Sequence, residues 1–431
     1  MSGASPNIST RPPNILGLAQ LGHRAFRGED LGVLRAELES RVAMDPSDAA
    51  AWLDLGILHE FSFCREEGLA CQARALRHER VFRMPAGDGE RGLRLLIFVA
   101  PGEIRTNVPV SFLLKDSDVT ADLVFLLPGE PLPDRLPEHD VAMVGVCESD
   151  ANLPFLDQLD ALLPEWPRPW LLEPAGIRAM ERDNLWRLLE GAPGISIPPT
   201  VLMNRGQVGA LACGESELPG LAQTAAFPFL LRPLDSHGGH GLERIDDPSG
   251  VADYLKRHPG VNSFFFAPFV DYRGSDGLYR KFRVALVDGQ AFLCHMALAD
   301  HWMLHYVNAG MYEDPSKCDA EARAFASFDE SFAVRHAPAL NALHERVGLE
   351  YITIDCAETK EGELLVFEAG TAMVVHDMDS PVLYPYKAPN MRRIFAAFRE
   401  LLMRRARVQT GSPVSRPELQ VAPQLAEARY P

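Results

Sequence analysis

The stretch Tyr351 to Ala369, YITIDCAETKEGELLVFEA, reads as two apolar strands joined by a tight turn. Tyr351 to Ala357 and Leu364 to Ala369 flank Glu361-Gly362, a pattern that predicts a β-hairpin. With a two-residue loop the cross-strand partners sum to a constant, which sets Asp355 directly opposite Glu368. Two carboxylates so placed have β-carbons roughly 5 Å apart and repel each other. Their neighbours along both strands are apolar, so the pair does not read as casual surface acids. A divalent cation would remove the repulsion, because magnesium takes oxygen ligands, often one or two carboxylates with substrate phosphates and water.

Upstream lies a second hairpin. Phe282 to Val287 and Gln290 to Met296 flank Asp288-Gly289, a strong two-residue turn. Strand alternation puts Lys281 and Arg283 on one face, with Phe282, Val284 and Leu286 on the other. Before it, Phe264 to Val270 (FFFAPFV) predicts an apolar strand whose backbone can face a flat ring. Earlier still comes FPFLLRPLDSHGGHGL, Phe227 to Leu242. Phe229 to Leu231 end a short buried strand, Arg232 closes it, and Asp235 to Gly241 bring together three glycines, a hydroxyl and two imidazoles. Glycine permits positive φ and a close approach of backbone to ligand, so consecutive N–H groups can line an oxyanion pocket. Phosphate is the natural guest.

The stretch His295 to Asn308 (HMALADHWMLHYVN) carries His295, His301 and His305 beside Trp302. His301 and His305 are spaced as i and i+4, which on a helix suits a metal. No third ligand or HExxH pattern accompanies them, so contact with substrate or plain packing is the better reading.

Length and composition bound what surrounds these motifs. A chain of 431 residues exceeds one ordinary core and predicts two or three domains. With 47% apolar and 23% charged residues it reads as a soluble globular protein. Its 42 basic against 59 acidic residues give a formal charge of −17, which argues against a nucleic-acid partner. The opening MSGASPNISTRPP has no apolar core behind a positive end, and no later run approaches the roughly 20 apolar residues of a membrane helix. A cytoplasmic protein without a membrane partner is expected. The seven cysteines include no CxxC pair, which disfavours zinc and a disulfide framework.

Along the chain, residues 1 to about 15 read as loose. Leu31, Leu34, Leu38 and Val42 recur at helical spacing, Asp45-Pro46-Ser47-Asp48 breaks the helix, and Asp48 is placed to cap the next. Trp52-Leu53-Asp54-Leu55-Gly56 matches the W-x2-L-G opening of a tetratricopeptide repeat, with Gly68 where the repeat wants alanine and Ala75 in phase. One partial repeat makes no solenoid, so residues 1–90 are expected to form a small helical domain. It either packs as a cap or serves a protein or peptide partner. After the joint Pro85 to Gly92 come short apolar runs, Leu93 to Val99, Leu123 to Leu127 and Val141 to Val146. Helical segments at Pro109 to Lys115 and Phe155 to Leu163 separate them, predicting a mostly parallel, covered sheet over residues 91–175. Loops Pro101 to Asn107 and Glu148 to Asn152 follow its first and third strands, where such sheets bind ligands. Residues 176–190, 321–347 and 391–407 read as helical, and 409–431 as a disordered tail.

The order glycine loop, apolar linker strand, Arg-bearing hairpin and D-x12-E on the last hairpin resembles the ATP-grasp ligases, especially their RimK-type and glutathione-synthetase-like branch, over about residues 92 to 400. The resemblance implies an α/β and α+β fold: an ATP-grasp domain of two α+β lobes at 176–408, a Rossmann-like preceding domain at 91–175, and the small all-α domain before that. Carried onto this sequence, it puts Arg232 in the place of the phosphate-binding lysine and Ser236, His237, Gly238, Gly239, His240 and Gly241 in the flexible loop over the phosphates, with His240 where a second lysine is frequent. Ala267, Pro268, Phe269 and Val270 become the linker whose backbone recognises adenine, with Lys281 beside the nucleotide. Arg283 matches an arginine facing phosphate and the reacting acyl group, Asn308 a polar contact to nucleotide or acceptor, and Asp355 and Glu368 the magnesium ligands.

Two departures stand out. The asparagine usual two residues after the glutamate is Gly370, and another lysine expected near the linker is Asn184. Thr371, His376, Asp377 and Asp379 are candidates to compensate. The implied activity is magnesium-dependent ligation of a carboxylate to an amine, of small-molecule or peptide size, at the expense of ATP and through an acyl phosphate. A phosphotransferase or a nucleotide-binding regulator that has lost ligation is the alternative Gly370 favours, and a repeat-like protein-binding scaffold is a third.

Overall fold

The computed structural model describes residues 11–84, 92–214, 225–234, 236 and 238–408. The first ten residues, most of the Pro85 to Gly92 joint, the tail from 409 and His237 lie outside them. Among its described residues the chain forms two compact units. The first runs to Ile177 and takes in Leu349–Tyr351 and the residues from Gly370 on; the second comprises Arg178–Gly348 and Ile352–Ala369.

The first unit opens with four helices: α1 (Gly17–Phe26), α2 (Leu31–Met44), α3 (Ala49–Phe61) and α4 (Arg65–His78). As the spacing predicts, Leu38 and Val42 turn inward from α2, joining Leu21, Leu55 and Leu58 in a small apolar core. Asp48 caps α3 by accepting from the Ala51 N–H at 3.0 Å. The glycine at position 68 has a steric reason: a Cβ there would meet Gly56 O at 3.0 Å, and one on Gly56 would meet Gly68 O at 3.0 Å. The two helices cross backbone against backbone. Asp54, on α3, accepts from the N–H groups of Leu16 and Gly17 at 2.8 and 2.9 Å and so holds the start of α1, a helix the sequence pattern did not reveal.

Next comes a five-stranded sheet of β1 (Val81–Arg83), β2 (Arg94–Val99), β3 (Thr120–Phe125), β4 (Val141–Val144) and β5 (Trp170–Leu171), in the order β1-β3-β2-β4-β5. β2, β3, β4 and β5 are parallel, as expected, while β1 adds antiparallel to β3. The helices grip the loop after β2: Glu60 accepts from the Ile104 N–H, and Gln72 both accepts from the Gly102 N–H and donates to its carbonyl.

The second unit is built on two sheets. Strands β6 (Ile195–Ser196), β7 (Val201–Asn204), β8 (Phe229–Pro233), β9 (Glu243–Ile245) and β10 (Ser263–Pro268) come first, then β11 (Tyr279–Val287), β12 (Gln290–Ala299), β13 (Tyr351–Glu358) and β14 (Leu364–Gly370). One sheet has the order β7-β10-β8-β9, the other β12-β11-β13-β14-β6. The first is antiparallel, and its inner face packs Phe229, Leu231, Phe264 and Phe266 against Val251 and Tyr254 of the helix Pro248–Arg257.

Two expectations are corrected. Residues 176–190 form two short helices, Pro174–Arg178 and Arg182–Leu189, because the Glu181 backbone is extended rather than helical and begins a new helix. The turn between β13 and β14 is longer than two residues. Thr359 N–H donates to Glu363 O and Gly362 N–H to Thr359 O, leaving Lys360-Glu361-Gly362 as a three-residue loop with Gly362 at φ +87°. That is a type I turn followed by a left-handed glycine, the usual three-residue hairpin. The upstream turn is as expected: Val287 pairs with Gln290, with positive φ at both Asp288 and Gly289.

Candidate functional site

A cavity in the second unit gathers most of the residues singled out above. Its walls come from the helix Arg182–Leu189, from β8 and the glycine turn, from β10 and the residues after it, from Lys281 of β11, from the loop Trp302 to His305, and from Val366, Phe367 and Glu368 of β14.

One part of the lining is apolar and aromatic. Ala267, Pro268, Phe269 and Val270 all line it, together with Ile197, Tyr272, Trp302 and Phe367. β10 pairs Ala267 with Leu230 and Pro268 with Phe229, which fixes the linker backbone against β8. Trp302 meets Phe269 edge-on with ring centroids 5.7 Å apart, and the Arg244 guanidinium lies 4.4 Å over the same ring. Flat surfaces held this way suit a planar ligand group.

The rest of the lining is charged. Among the described residues, Arg232, Lys281 and Arg182 face it with one carboxylate, Glu368. Arg232 lies within β8, which runs one residue further than expected to Pro233, and its guanidinium donates to Ser236, Nε reaching Oγ at 3.2 Å and a second nitrogen reaching the carbonyl. Burial, then the nearby Arg182, brings its pKa down to about 10. It remains a cation at neutral pH.

Behind Lys281 lies a buried ionic triad. Asp355, about 1% exposed, receives Arg283 at 2.8 and 3.1 Å on its two oxygens and Lys281 Nζ at 2.6 Å on Oδ2. Burial by itself would raise this carboxyl; Lys281 and Arg283 outweigh it and hold Asp355 far below the usual range. Glu368 keeps about a third of its side chain accessible and bonds Arg182 at 2.9 Å. Burial would raise Glu368 too, and Arg182 overcomes it, pulling its pKa below normal against the repulsion from Asp355. With Thr359 opposite Glu363 the partner sum falls by one, so the turn does not set Asp355 directly opposite Glu368 as expected; Asp355 still repels Glu368, and the chain's own cations outweigh that repulsion.

The glycine turn is well formed where it is described. Gly238, Gly239 and Gly241 have φ of +60°, +79° and +65°, and Tyr254 OH holds the Gly241 carbonyl at 2.9 Å. Gly238 and Gly239 line the cavity, while His240 is exposed and outside the lining. Asn308 is also outside it: its amide accepts from His305 N–H and donates to Met303 O, bracing its own turn. His301 and His305 are not on a helix, so the i, i+4 pairing dissolves, and His305 alone lines the cavity.

Sequence reasoning missed Arg182. Asn184 donates to Arg178 O and does not line the cavity, whereas Arg182, two residues earlier, does. The signal was present as a cation at the head of a helix, but its direction depends on where the helix restarts.

The donor types suit magnesium, and Glu368 is presented to the cavity. Asp355 has both oxygens engaged, so a cation can share it only if Lys281 lets go. Among the described residues no cluster of three or more His, Cys, Asp or Glu side chains is arranged to hold a metal. In the first unit, Gly370 is not an open gap, since a Cβ there would lie 2.4 Å from Glu148 Oε1. The possible substitutes are engaged within that unit: Thr371 with Cys147, Asp377 with Lys115 and His23, Asp379 with Lys387. His376 Nδ1 accepts from Met378 N–H.

No family model matches the sequence, and no curated protein does. Solved structures do resemble it. A RimK-domain ATP-grasp protein from Sphaerobacter thermophilus is 15% identical with a TM-score of 0.41, covering 72% of this chain and 99% of its own. VanG D-Ala:D-Ser ligase from Enterococcus faecalis is 11% identical at a TM-score of 0.44, covering 73% and 100%. D-alanine–D-alanine ligase from Bacillus anthracis is 11% identical at 0.43, covering 73% and 97%. At such scores the likeness carries no weight for what the cavity does; its residues must. Among the described residues no helix is long and apolar enough to cross a membrane.

Proposed function

We propose that the second unit is the nucleotide-binding core of an ATP-grasp enzyme that joins a carboxylate to an amine using ATP. The observation that carries this reading is the cavity's division into an aromatic part bounded by the linker backbone and a part where three cations face one carboxylate. A base and ribose fit the first, a polyphosphate the second.

In this reading Gly238 and Gly239 present backbone N–H groups to the phosphates, and Arg232, Arg182 and Lys281 neutralise them. The substrate carboxylate oxygen attacks the terminal phosphorus, the bond to the bridging oxygen breaks, and ADP leaves. The amine nitrogen then attacks the acyl carbon, phosphate departs, and the amine gives up its proton to water. Arg283 stays on Asp355 and keeps it ionised. Glu368, with Asp355 beside it, would hold magnesium, which would supply positive charge to the phosphate oxygens. What these side chains contribute is position and fixed charge in a site that excludes water.

The test is ADP formation by the full chain with paired pools of acids and amines. Release that needs both partners supports ligation. Release with a single acceptor and no amine supports phosphotransfer. Tight nucleotide binding without turnover supports a regulator, the reading favoured by Asp355, whose oxygens the protein already engages. Absence of any nucleotide binding sinks all three.

A further inference from the structure

His305 lines the cavity beside the glycine turn. Its Nε2 is buried and, among the described residues, finds no hydrogen-bond partner, an unfavourable state for a polar atom withdrawn from water. The ring edge fills the space beside the glycine turn: a Cβ built on Gly239 would lie 2.6 Å from His305 Nε2. Gly239 is therefore required twice, once for its φ of +79° and once for the imidazole against it. Burial first, and then Lys281, lowers the His305 pKa, so the ring is neutral at physiological pH; Asp355 and Glu368 act on it in the opposite direction. These neighbours set the ring among the charged groups.

We propose that His305 is a direct ligand of the nucleotide's polyphosphate, its Nε2–H donating to a phosphate oxygen beyond the α position while the Gly238–Gly239 turn closes on the same group. This rests on the nucleotide reading above and adds to it a residue and a consequence. A neutral donor adds a directed bond without competing with Lys281 or Arg232 for charge. It also joins the Trp302–His305 loop to the glycine turn through the ligand, so that the cavity grips a nucleoside di- or triphosphate but not a monophosphate.

The experiment is calorimetric titration of the full chain with a non-hydrolysable ATP analogue and with AMP, magnesium present. His305→Ala is expected to weaken the analogue about tenfold and leave AMP unchanged. His305→Gln, which keeps a donor at similar reach, recovers part of the loss. Gly239→Ala, which pushes a methyl against the imidazole, reproduces the alanine effect from the other side. Equal weakening of analogue and AMP, or no weakening at all, overturns the assignment; should His305→Ala fail to fold, the glutamine variant decides by whether it retains the preference for polyphosphate. Binding of neither nucleotide by the wild-type chain removes the nucleotide reading and this inference with it, whereas wild-type binding with indifferent variants removes the inference alone.

Discussion

Asp54 in the first unit and Asp355 in the second are equally withdrawn from water, each about 1% exposed. Their surroundings drive them in opposite directions. Asp54 sees two backbone N–H groups and only a lesser pull from Arg41, and burial outweighs them, raising its pKa to about 6. Asp355 is gripped by Lys281 and Arg283, which hold it ionised in spite of burial. A carboxylate used only to fasten a helix can tolerate a proton. One held ionised in the interior needs fixed cations beside it. Burial alone does not decide whether an interior acid keeps its proton; the partners do.

That contrast can be broken most directly at Asp355. Asp355→Ala leaves Lys281 and Arg283 with uncompensated buried charge, and a loss of about 3–5 kcal/mol in the stability of the second unit is expected, read from its urea transition. ADP formation should disappear with it. A stability change below about 1 kcal/mol would show that the triad is not the anchor described here.

Asp54 should answer to pH instead. Its folded pKa lies above the unfolded value of 3.8, so its favourable contribution is full below about pH 4 and is lost as pH rises through about 6. The wild-type chain should lose on the order of 2–3 kcal/mol more than Asp54→Asn on going from pH 4 to pH 8. Parallel pH profiles for the two would remove Asp54 from the account.

A smaller effect sharpens the cavity's side of the comparison. Arg182→Ala should weaken nucleotide binding about tenfold, roughly 1.4 kcal/mol, while Asn184→Ala leaves it unchanged. The reverse result would remove Arg182 from the cavity's binding groups. Smallest of all, Gly68→Ala should cost about 1 kcal/mol, the overpacking between α3 and α4 exceeding what alanine gains as a better helix former. Thermal denaturation of the helical region measures it.

Several elements were legible in advance because neighbouring residues decide them. The turn at Asp288-Gly289 is one, since both positions need positive φ and the sequence supplies residues that accept it. The cap at Asp48 is another. The three-residue loop at Lys360-Glu361-Gly362 was misjudged by one residue, since a glycine in the left-handed region serves two- and three-residue turns alike. The pairing of β11 with β12 likewise carries a register shift, between Arg283 and Val284 of β11, that alternation could not show.

The sequence by itself determined which residue types were at hand: a glycine turn behind an arginine, a linker strand, a hairpin with two cations, and a later hairpin with two acids. Period and turn chemistry are local properties, and they carried those readings. Only the tertiary structure decided who meets whom. Lys281 and Arg283 reach Asp355 across more than seventy residues of chain, Arg182 rather than Asn184 lines the cavity, and His305 rather than Asn308 turns into it. Such pairings depend on strand order and on where a helix restarts, which are settled by the packing of whole sheets and not by any one stretch.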